Sequence, residues 1–231
     1  MKRGPIRFIL YLLCIAAAYA SIFSCRSSKT LKKMTAVCIW DRTALRIEPR
    51  EDGKWLASLQ LGEQVTWYGK TALDTANRRE YMQITLSDGK SGWAKSDLLV
   101  ANARVGAIKE PAPVYQRPDL LTLSDEQFET MEMVAVTDTT GHWSKVIGSE
   151  RRKKGWIRTG NIIFDSREVT IAILAKKAMD ENRTLPLSEL LDPLKKDLSV
   201  PDSYFLKKLE EQILAEPESD ENESDIHWND E

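Results

Sequence analysis

Between residues 35 and 164, hydrophobic and polar residues alternate over runs of about four to six residues. Turn-forming pairs such as Asp52-Gly53, Asp88-Gly89 and Thr140-Gly141 separate these runs. Successive side chains of a strand point to opposite faces, so each run would have one inward and one outward face. The pattern therefore predicts a mainly β region built from short strands.

After residue 164 the hydrophobic period changes from two towards 3.6, which predicts a short helical extension over residues 165–215. Asp165 and Glu168 have the spacing of a capping box at a helix start. A second amphipathic face is formed by Phe205, Leu209 and Ile213. The alternation at residues 169–173 leaves a strand as an alternative there.

An internal repeat divides the β region into two units. Gly92-Trp93 recurs 63 positions later as Gly155-Trp156, each time before a basic residue, a polar corner and a paired Leu or Ile. Upstream of each pair, the sequences YMQI and WSKV align, and LRIEP aligns with VYQRP. A fixed period with several matched positions indicates a duplicated structural unit. About 60 residues with five or six strands suit a small closed barrel, so we predict two, at residues 35–100 and 103–164.

The order of motifs resembles that of bacterial SH3 domains. The first unit contains LRIEP, LGEQVTWYGK, YMQI and GKSGWAKSDLL, and the second is most similar in its ending, HWSKV followed by KKGWIRTGNII. This resemblance implies two SH3-like β-barrels. It also implies binding of cell-wall peptides or of other proteins, which is the usual role of these domains.

The aromatic residues fall into two predicted groups. Those that we expect to pack the barrels are Tyr81, Trp93, Trp143 and Trp156, because they lie on strands. Those that we expect to line a ligand-binding groove are Trp55, Trp67, Tyr68 and Tyr115, because they fall near loops or on the alternate strand face.

The N-terminus has the layout of an export signal, with three basic residues followed by the uncharged run FILYLLCIAAAYASIF. Ile22-Phe23-Ser24-Cys25 is similar to the lipobox of bacterial lipoproteins, in which the cysteine is acylated. We therefore predict a signal peptide at residues 1–24, lipidation of Cys25 and a polar tether at residues 25–34. Conventional cleavage after Ala18-Tyr19-Ala20 and an uncleaved anchor remain alternatives. Lipidation would place the protein on the cell membrane or outer membrane, facing the periplasm or the cell surface.

Charge is distributed unevenly. Four consecutive cations, Arg151, Arg152, Lys153 and Lys154, are predicted to occupy a hairpin tip and could contact an anion. From residue 210 to residue 231 there are ten Asp or Glu and no Lys or Arg, so residues 216–231 are predicted to form a disordered acidic tail. The formal net charge of −2 and the export signal argue against a nucleic-acid partner.

The chemistry of an enzyme is not visible in the sequence. After the predicted signal, only Cys25 and Cys38 remain, and Cys38 is expected to be buried in a strand. The two histidines, His142 and His227, have no cysteine or triad pattern beside them, and neither a zinc motif nor a phosphate-binding loop is present. We therefore predict no catalysis, metal or cofactor, and expect a lipoprotein that binds cell-wall peptide. The alternative is a scaffold subunit that uses the helices and the tail.

Overall fold

A computed structural model describes residues 32–181 and 202–215. The predicted signal peptide, Cys25, most of the tether and the acidic tail lie outside the described residues. In the described ranges no helix is long and apolar enough to cross a bilayer.

The first half of the described chain forms a seven-stranded antiparallel sheet with the order β3-β2-β6-β5-β4-β1-β7. A short 3-10 turn, Ser96–Leu98, precedes its last strand. The strands are β1 (Met34–Cys38), β2 (Thr43–Arg46), β3 (Trp55–Leu59), β4 (Gln64–Asp74), β5 (Arg79–Thr85), β6 (Ser91–Lys95) and β7 (Leu99–Ala101).

The second sheet repeats this arrangement with the order β10-β9-β13-β12-β11-β8-β14. Its strands are β8 (Arg104–Ile108), β9 (Ala112–Tyr115), β10 (Leu123–Phe128), β11 (Met133–Thr140), β12 (Trp143–Gly148), β13 (Lys154–Arg158) and β14 (Ile162–Ile163). Each strand of one sheet has a counterpart in the same place of the other. The prediction of a mainly β chain with two similar β units is confirmed.

Each sheet curls around a core of its own, to which all seven of its strands contribute. In the first sheet this core includes Cys38, which is fully buried, together with Leu45 and Ile84. In the second sheet it includes Val114, Phe128 and Ile157. Because each strand alternates, one face of every sheet is left to point away from its core.

The two Gly-Trp pairs occupy equivalent positions. A Cβ on Gly92 would lie 2.8 Å from the carbonyl oxygen of Arg46, and one on Gly155 would lie 2.8 Å from that of Tyr115. The tryptophans that follow pair in register with the same two residues, Trp93 with Arg46 and Trp156 with Tyr115. Glycine is therefore required at both positions because the neighbouring strand passes too close for a side chain.

Two helices follow, α1 (Ser166–Glu181) and α2 (Tyr204–Ala215). Asp165 caps α1 as predicted, because its Oδ1 accepts hydrogen bonds from the backbone N–H groups of Arg167 and Glu168. The strand alternative at residues 169–173 is wrong. Glu168 differs from a capping-box residue, since its carboxylate accepts from the backbone N–H groups of Tyr204 and Phe205 and thus caps α2.

A third apolar cluster, here called the shared core, joins both sheets to both helices. It includes Val37 and Ile39 of the first sheet, Met133 of the second, Ile171 of α1 and Phe205 of α2. Strand β1 is buried on both faces, because Ala36 and Cys38 point into the first sheet's own core. The two sheets and the helices therefore pack as one body around β1.

Candidate ligand-binding face of the first sheet

A row of four side chains crosses the outer face of the first sheet. Trp55 of β3 pairs with Arg46 of β2, Arg46 pairs with Trp93 of β6, and Trp93 pairs with Gln83 of β5. Residues directly opposite one another in adjacent strands share a face. Their neighbours Leu45 and Ala94 enter the core of the sheet. These four residues, here called the Trp55 row, therefore lie on the outer face.

The Trp55 row combines an exposed ring with a covered one. Trp55 is 60% exposed, and its indole N–H donates to Oγ of Ser58 at 3.3 Å. Trp93 is only 9% exposed, and the ammonium group of Lys70 lies 5.3 Å from the centroid of its ring. A cation over an aromatic face is an attractive arrangement. The exposed ring of Trp55 is thus the part of the row that a ligand can cover.

The loop between β2 and β3 is fixed across this face by two cations. Arg46 Nη1 donates to the carbonyl oxygen of Gly53 at 2.7 Å, and Lys95 Nζ donates to Oε1 of Glu51 at 2.8 Å. The hydrogen bond from Lys95 lowers the pKa of Glu51, which keeps this carboxylate ionised. The loop is therefore held in place before a ligand arrives.

Tyr81 lies on the same outer face, where it pairs in register with Lys95. It is only 1% exposed, and its hydroxyl has no hydrogen-bond partner in the part of the chain that the structure describes. Burial raises the pKa of Tyr81, so the hydroxyl stays protonated and can donate. A buried hydroxyl without a partner carries a free-energy cost, so this side chain lowers the stability of the sheet relative to a phenylalanine.

The face has the chemistry of a peptide-binding surface. Three cations, Arg46, Lys70 and Lys95, lie around the row, and Arg46 and Lys95 have partners in the β2–β3 loop. A flat indole can pack against aliphatic atoms, and cations beside it can attract carboxylates.

The structure brings only part of the predicted groove together. Trp55 belongs to the row. Tyr68 is 39% exposed but lies on β4, and three strands lie between β4 and the strand that carries Trp55. Trp67 is half-buried against the core of the first sheet, and its indole N–H donates to the carbonyl oxygen of Lys70. The expectation that Tyr115 is an exposed groove residue is wrong, because it is 9% exposed and packs edge-on against Trp143 at 4.8 Å.

Sequence reasoning missed Arg46 as a site residue and assigned Trp93 and Tyr81 to packing alone. The alternation around Leu45 contained the signal, because an inward Leu45 implies an outward Arg46. The pairing of Arg46 with Trp93 joins residues 47 positions apart in the chain. No local pattern encodes that register.

The four predicted anion-binding cations do not form a free hairpin tip. Arg151 donates from Nε to the carbonyl oxygen of Asp97 at 3.0 Å and from Nη2 to that of Leu99 at 2.8 Å. Arg152 pairs with Glu150, and Lys153 pairs with Glu132 at 2.9 Å. Lys154 is exposed and has no ion pair within residues 32–181 and 202–215. The hairpin tip docks against the first sheet, and three of its cations already have partners.

No protein-family model and no curated protein matches the chain. Among solved structures, NlpC1 from Trichomonas vaginalis is 11% identical with a TM-score of 0.26 and covers 65% of this chain and 55% of its own. NlpC2 from Trichomonas vaginalis is 10% identical with a TM-score of 0.26, covering 64% and 57%. Endolysin LysPBC5 CBD is 13% identical with a TM-score of 0.23, covering 58% and 96%. The chain thus spans little more than half the length of the two NlpC structures.

Proposed function

We propose that this chain is a non-catalytic binding protein of the cell envelope and that the outer face of its first sheet binds cell-wall peptide. The observation that carries the proposal is the Trp55 row, in which a tryptophan that is 60% exposed lies opposite Arg46, and Arg46 bonds to the β2–β3 loop. Exposed tryptophan beside arginine is typical of the residues that dominate binding energy at interfaces. The resemblance of the first unit to bacterial SH3 domains supports the same assignment.

The preorganised loop supports affinity. Both Arg46 and Lys95 hold the β2–β3 loop through hydrogen bonds within the protein. A ligand therefore does not have to order this loop, which removes one entropic cost of association.

The proposal includes attachment to the membrane through a lipid on Cys25, with the protein facing the periplasm or the cell surface. The support is the basic, then apolar, then lipobox-like order of the N-terminal residues. The proposal also excludes a thiol nucleophile at Cys38. This thiol is buried, and burial raises its pKa, which disfavours the thiolate that nucleophilic catalysis needs.

The alternative of a scaffold that uses its helices requires an apolar helix face open to a partner. The apolar positions of α1 and α2 that fill the shared core are Val169, Ile171, Ala172, Ala175, Phe205, Leu206 and Leu209. Leu174 and Leu214 remain exposed. Because most of both apolar faces is covered, the first sheet's outer face is the better candidate for the main site.

The test is co-sedimentation of the purified full-length chain, in detergent, with peptidoglycan sacculi at low and moderate salt. Trp55→Ala is compared with Trp40→Ala. Trp40 is also an exposed tryptophan, at 42%, but it lies just before the start of β2, whereas Trp55 lies opposite the end of β2. We expect binding at both salt concentrations, weakened by Trp55→Ala and unchanged by Trp40→Ala.

Three results would contradict the proposal. Failure to bind sacculi in either buffer would remove the cell-wall ligand. Loss of binding at moderate salt would assign it to nonspecific charge attraction. An equal effect of the two tryptophan variants would remove the Trp55 row as the site.

A further inference from the structure

A cleft of about 780 Å³ lies between the two sheets and α1, away from the Trp55 row. Its walls come from residues 60–64, Phe128, residues 131–133, 148–150 and 152–153, and from the side of α1. Its apolar lining includes Ile39, Met131, Met133 and Val169, which also belong to the shared core. The volume is within the range of sites that bind small molecules or short segments of a ligand.

The rim of this cleft carries more acid than base. Six carboxylates and four cations line it, so its formal charge is −2. Four of the carboxylates pair with the four cations, in the pairs Asp41–Lys177, Glu132–Lys153, Glu150–Arg152 and Asp180–Lys176. The remaining carboxylates, Glu63 and Glu181, have no cationic partner in residues 32–181 and 202–215. The excess negative charge is therefore located on these two residues.

The width of the cleft is set by close contacts between its walls. Gly62 has a φ of +78°, and a Cβ at this position would lie 2.5 Å from Cδ1 of Ile173 on α1. On the other side, the backbone N–H of Glu150 donates to the carbonyl oxygen of Ile39 at 2.8 Å. Arg151 holds the same turn through its two bonds to the first sheet. Contacts among the described residues thus hold the walls of the cleft in place.

We propose that this cleft binds a cationic, partly apolar peptide segment of a partner protein. The apolar lining favours aliphatic side chains, and Glu63 and Glu181, which lack a cationic partner in the described residues, favour lysine or arginine. An acidic segment has the wrong sign. This argument excludes the chain's own residues 216–231, which contain no Lys or Arg. The site is separate from the cell-wall site proposed above.

The test uses two fluorescein-labelled hexapeptide amides, one of alternating lysine and leucine and one of alternating glutamate and leucine. Binding to the full-length chain is followed by fluorescence anisotropy at about 0.01 M and about 0.15 M salt. We expect the lysine peptide to bind at least about tenfold more tightly than the glutamate peptide at the lower salt.

Two variants and one control locate the site. The double variant Glu63→Gln with Glu181→Gln should weaken the lysine peptide about threefold to tenfold, with a smaller effect at higher salt. Thr170→Trp should weaken it at least about tenfold, because Thr170 is an exposed residue of α1 that lines the cleft and a large ring there would fill it. Glu126→Gln, an exposed carboxylate on β10, is the matched control and should have no effect.

Equal binding of the two peptides, no binding of either, or unchanged binding to Thr170→Trp would overturn the proposal. Thr170→Lys is the second variant if the tryptophan variant does not fold, because it adds a competing cation at the same exposed position. Binding to sacculi should be unchanged in whichever Thr170 variant is used. If a folded Thr170 variant lost sacculus binding, the cleft would be assigned to the cell-wall ligand, and the proposal of a partner protein would be contradicted.

Discussion

The outer faces of the two sheets have the same backbone register but different side chains. In the first sheet the row is Trp55, Arg46, Trp93 and Gln83, and in the second the equivalent row is Leu123, Tyr115, Trp156 and Lys145. In the second sheet, Tyr115 packs edge-on against Trp143, and the guanidinium of Arg158 lies 4.1 Å from the centroid of the Trp143 ring. Its aromatic residues therefore contact one another.

This difference separates what the fold needs from what a ligand needs. Glycine before the tryptophan is required in both sheets by the close approach of the neighbouring strand. The residues opposite these tryptophans, Arg46 and Tyr115, are free to differ because they point outward. In the first sheet an arginine there leaves Trp55 accessible, whereas in the second a tyrosine there is buried against another ring.

The largest expected effect tests the shared part of the comparison. Gly92→Ala and Gly155→Ala should each lower the free energy of unfolding by about 2–4 kcal/mol, because their Cβ atoms would overlap the neighbouring strand. Urea denaturation measures the change. Gly160→Ala is the control, since a Cβ there meets nothing within 4 Å. A large loss in only one of the two glycine variants would show that the sheets do not share this requirement.

The next effect concerns the hairpin turns that occupy the same place in the two sheets. Arg151, in the turn before β13, bonds to two carbonyl oxygens of the first sheet, whereas Lys90, before β6, only pairs with Asp88 at the surface. Arg151→Ala should lower the free energy of unfolding by about 2 kcal/mol. Lys90→Ala should leave the denaturation midpoint unchanged. Similar midpoints for the two variants would mean that the docked turn contributes no stability.

The third prediction compares the exposed end of each row. Trp55→Ala should weaken binding to sacculi about tenfold, because it removes the accessible ring. Leu123→Ala, at the equivalent position and 58% exposed, should leave that binding unchanged. Co-sedimentation titrations measure both affinities. A greater loss in the leucine variant would place the ligand on the second sheet.

The fourth prediction concerns Tyr81 and its counterpart Trp143. Tyr81→Phe should raise the free energy of unfolding by about 1 kcal/mol, because it removes a buried hydroxyl that has no partner among the described residues. Trp143→Phe should lower the free energy of unfolding by about 1–2 kcal/mol, since its ring contacts Tyr115 and Arg158. A destabilised Tyr81→Phe protein would show that the hydroxyl already has a partner in solution.

The smallest expected effect is a pH dependence of stability that arises from Asp41, just before β2. Burial raises the pKa of Asp41, but the hydrogen bond and charge of Lys177 outweigh it, so the pKa is lowered overall. A lowered pKa in the folded state means that the stabilisation is present above the unfolded pKa of about 3.9 and is lost as the pH falls through the folded value. Both side chains are more than a third exposed, so we expect at most about 0.5 kcal/mol.

Asp41→Asn should flatten the fall in stability between about pH 5 and pH 3, measured by urea denaturation at each pH. The second sheet has a different contact at the equivalent turn, where the Tyr204 hydroxyl donates to Glu110 at 3.4 Å. Tyr204→Phe is therefore the matched variant and should leave the acid limb unchanged. An acid limb that Asp41→Asn does not alter would show that the Lys177 pair contributes no stability.

The sequence predicted the elements of this fold better than their contacts. Alternation and the Gly-Trp repeat are local, so they were sufficient to predict two β units and the buried position of Cys38. The bonds of Arg151 to Asp97 and Leu99 span more than 50 positions, and Glu168 caps a helix 36 positions away. Alternation could not show that Val37 and Ile39, which point away from their own sheet, are also buried. Trp55 was predicted as a candidate ligand-binding residue because it lies near a loop. Arg46 could be recognised as its neighbour only from the strand register.

The double burial of β1 has a consequence for protein engineering. A segment ending at residue 101 could not be used alone in a fusion protein. Val37, Ile39 and Val100 would lose the residues that cover them and would form an exposed hydrophobic patch. A fusion protein designed to contain the Trp55 row should instead include the whole of residues 33–215. The two sequence repeats are therefore not independent structural modules. The smallest segment suitable for transfer to another protein includes both sheets and both helices.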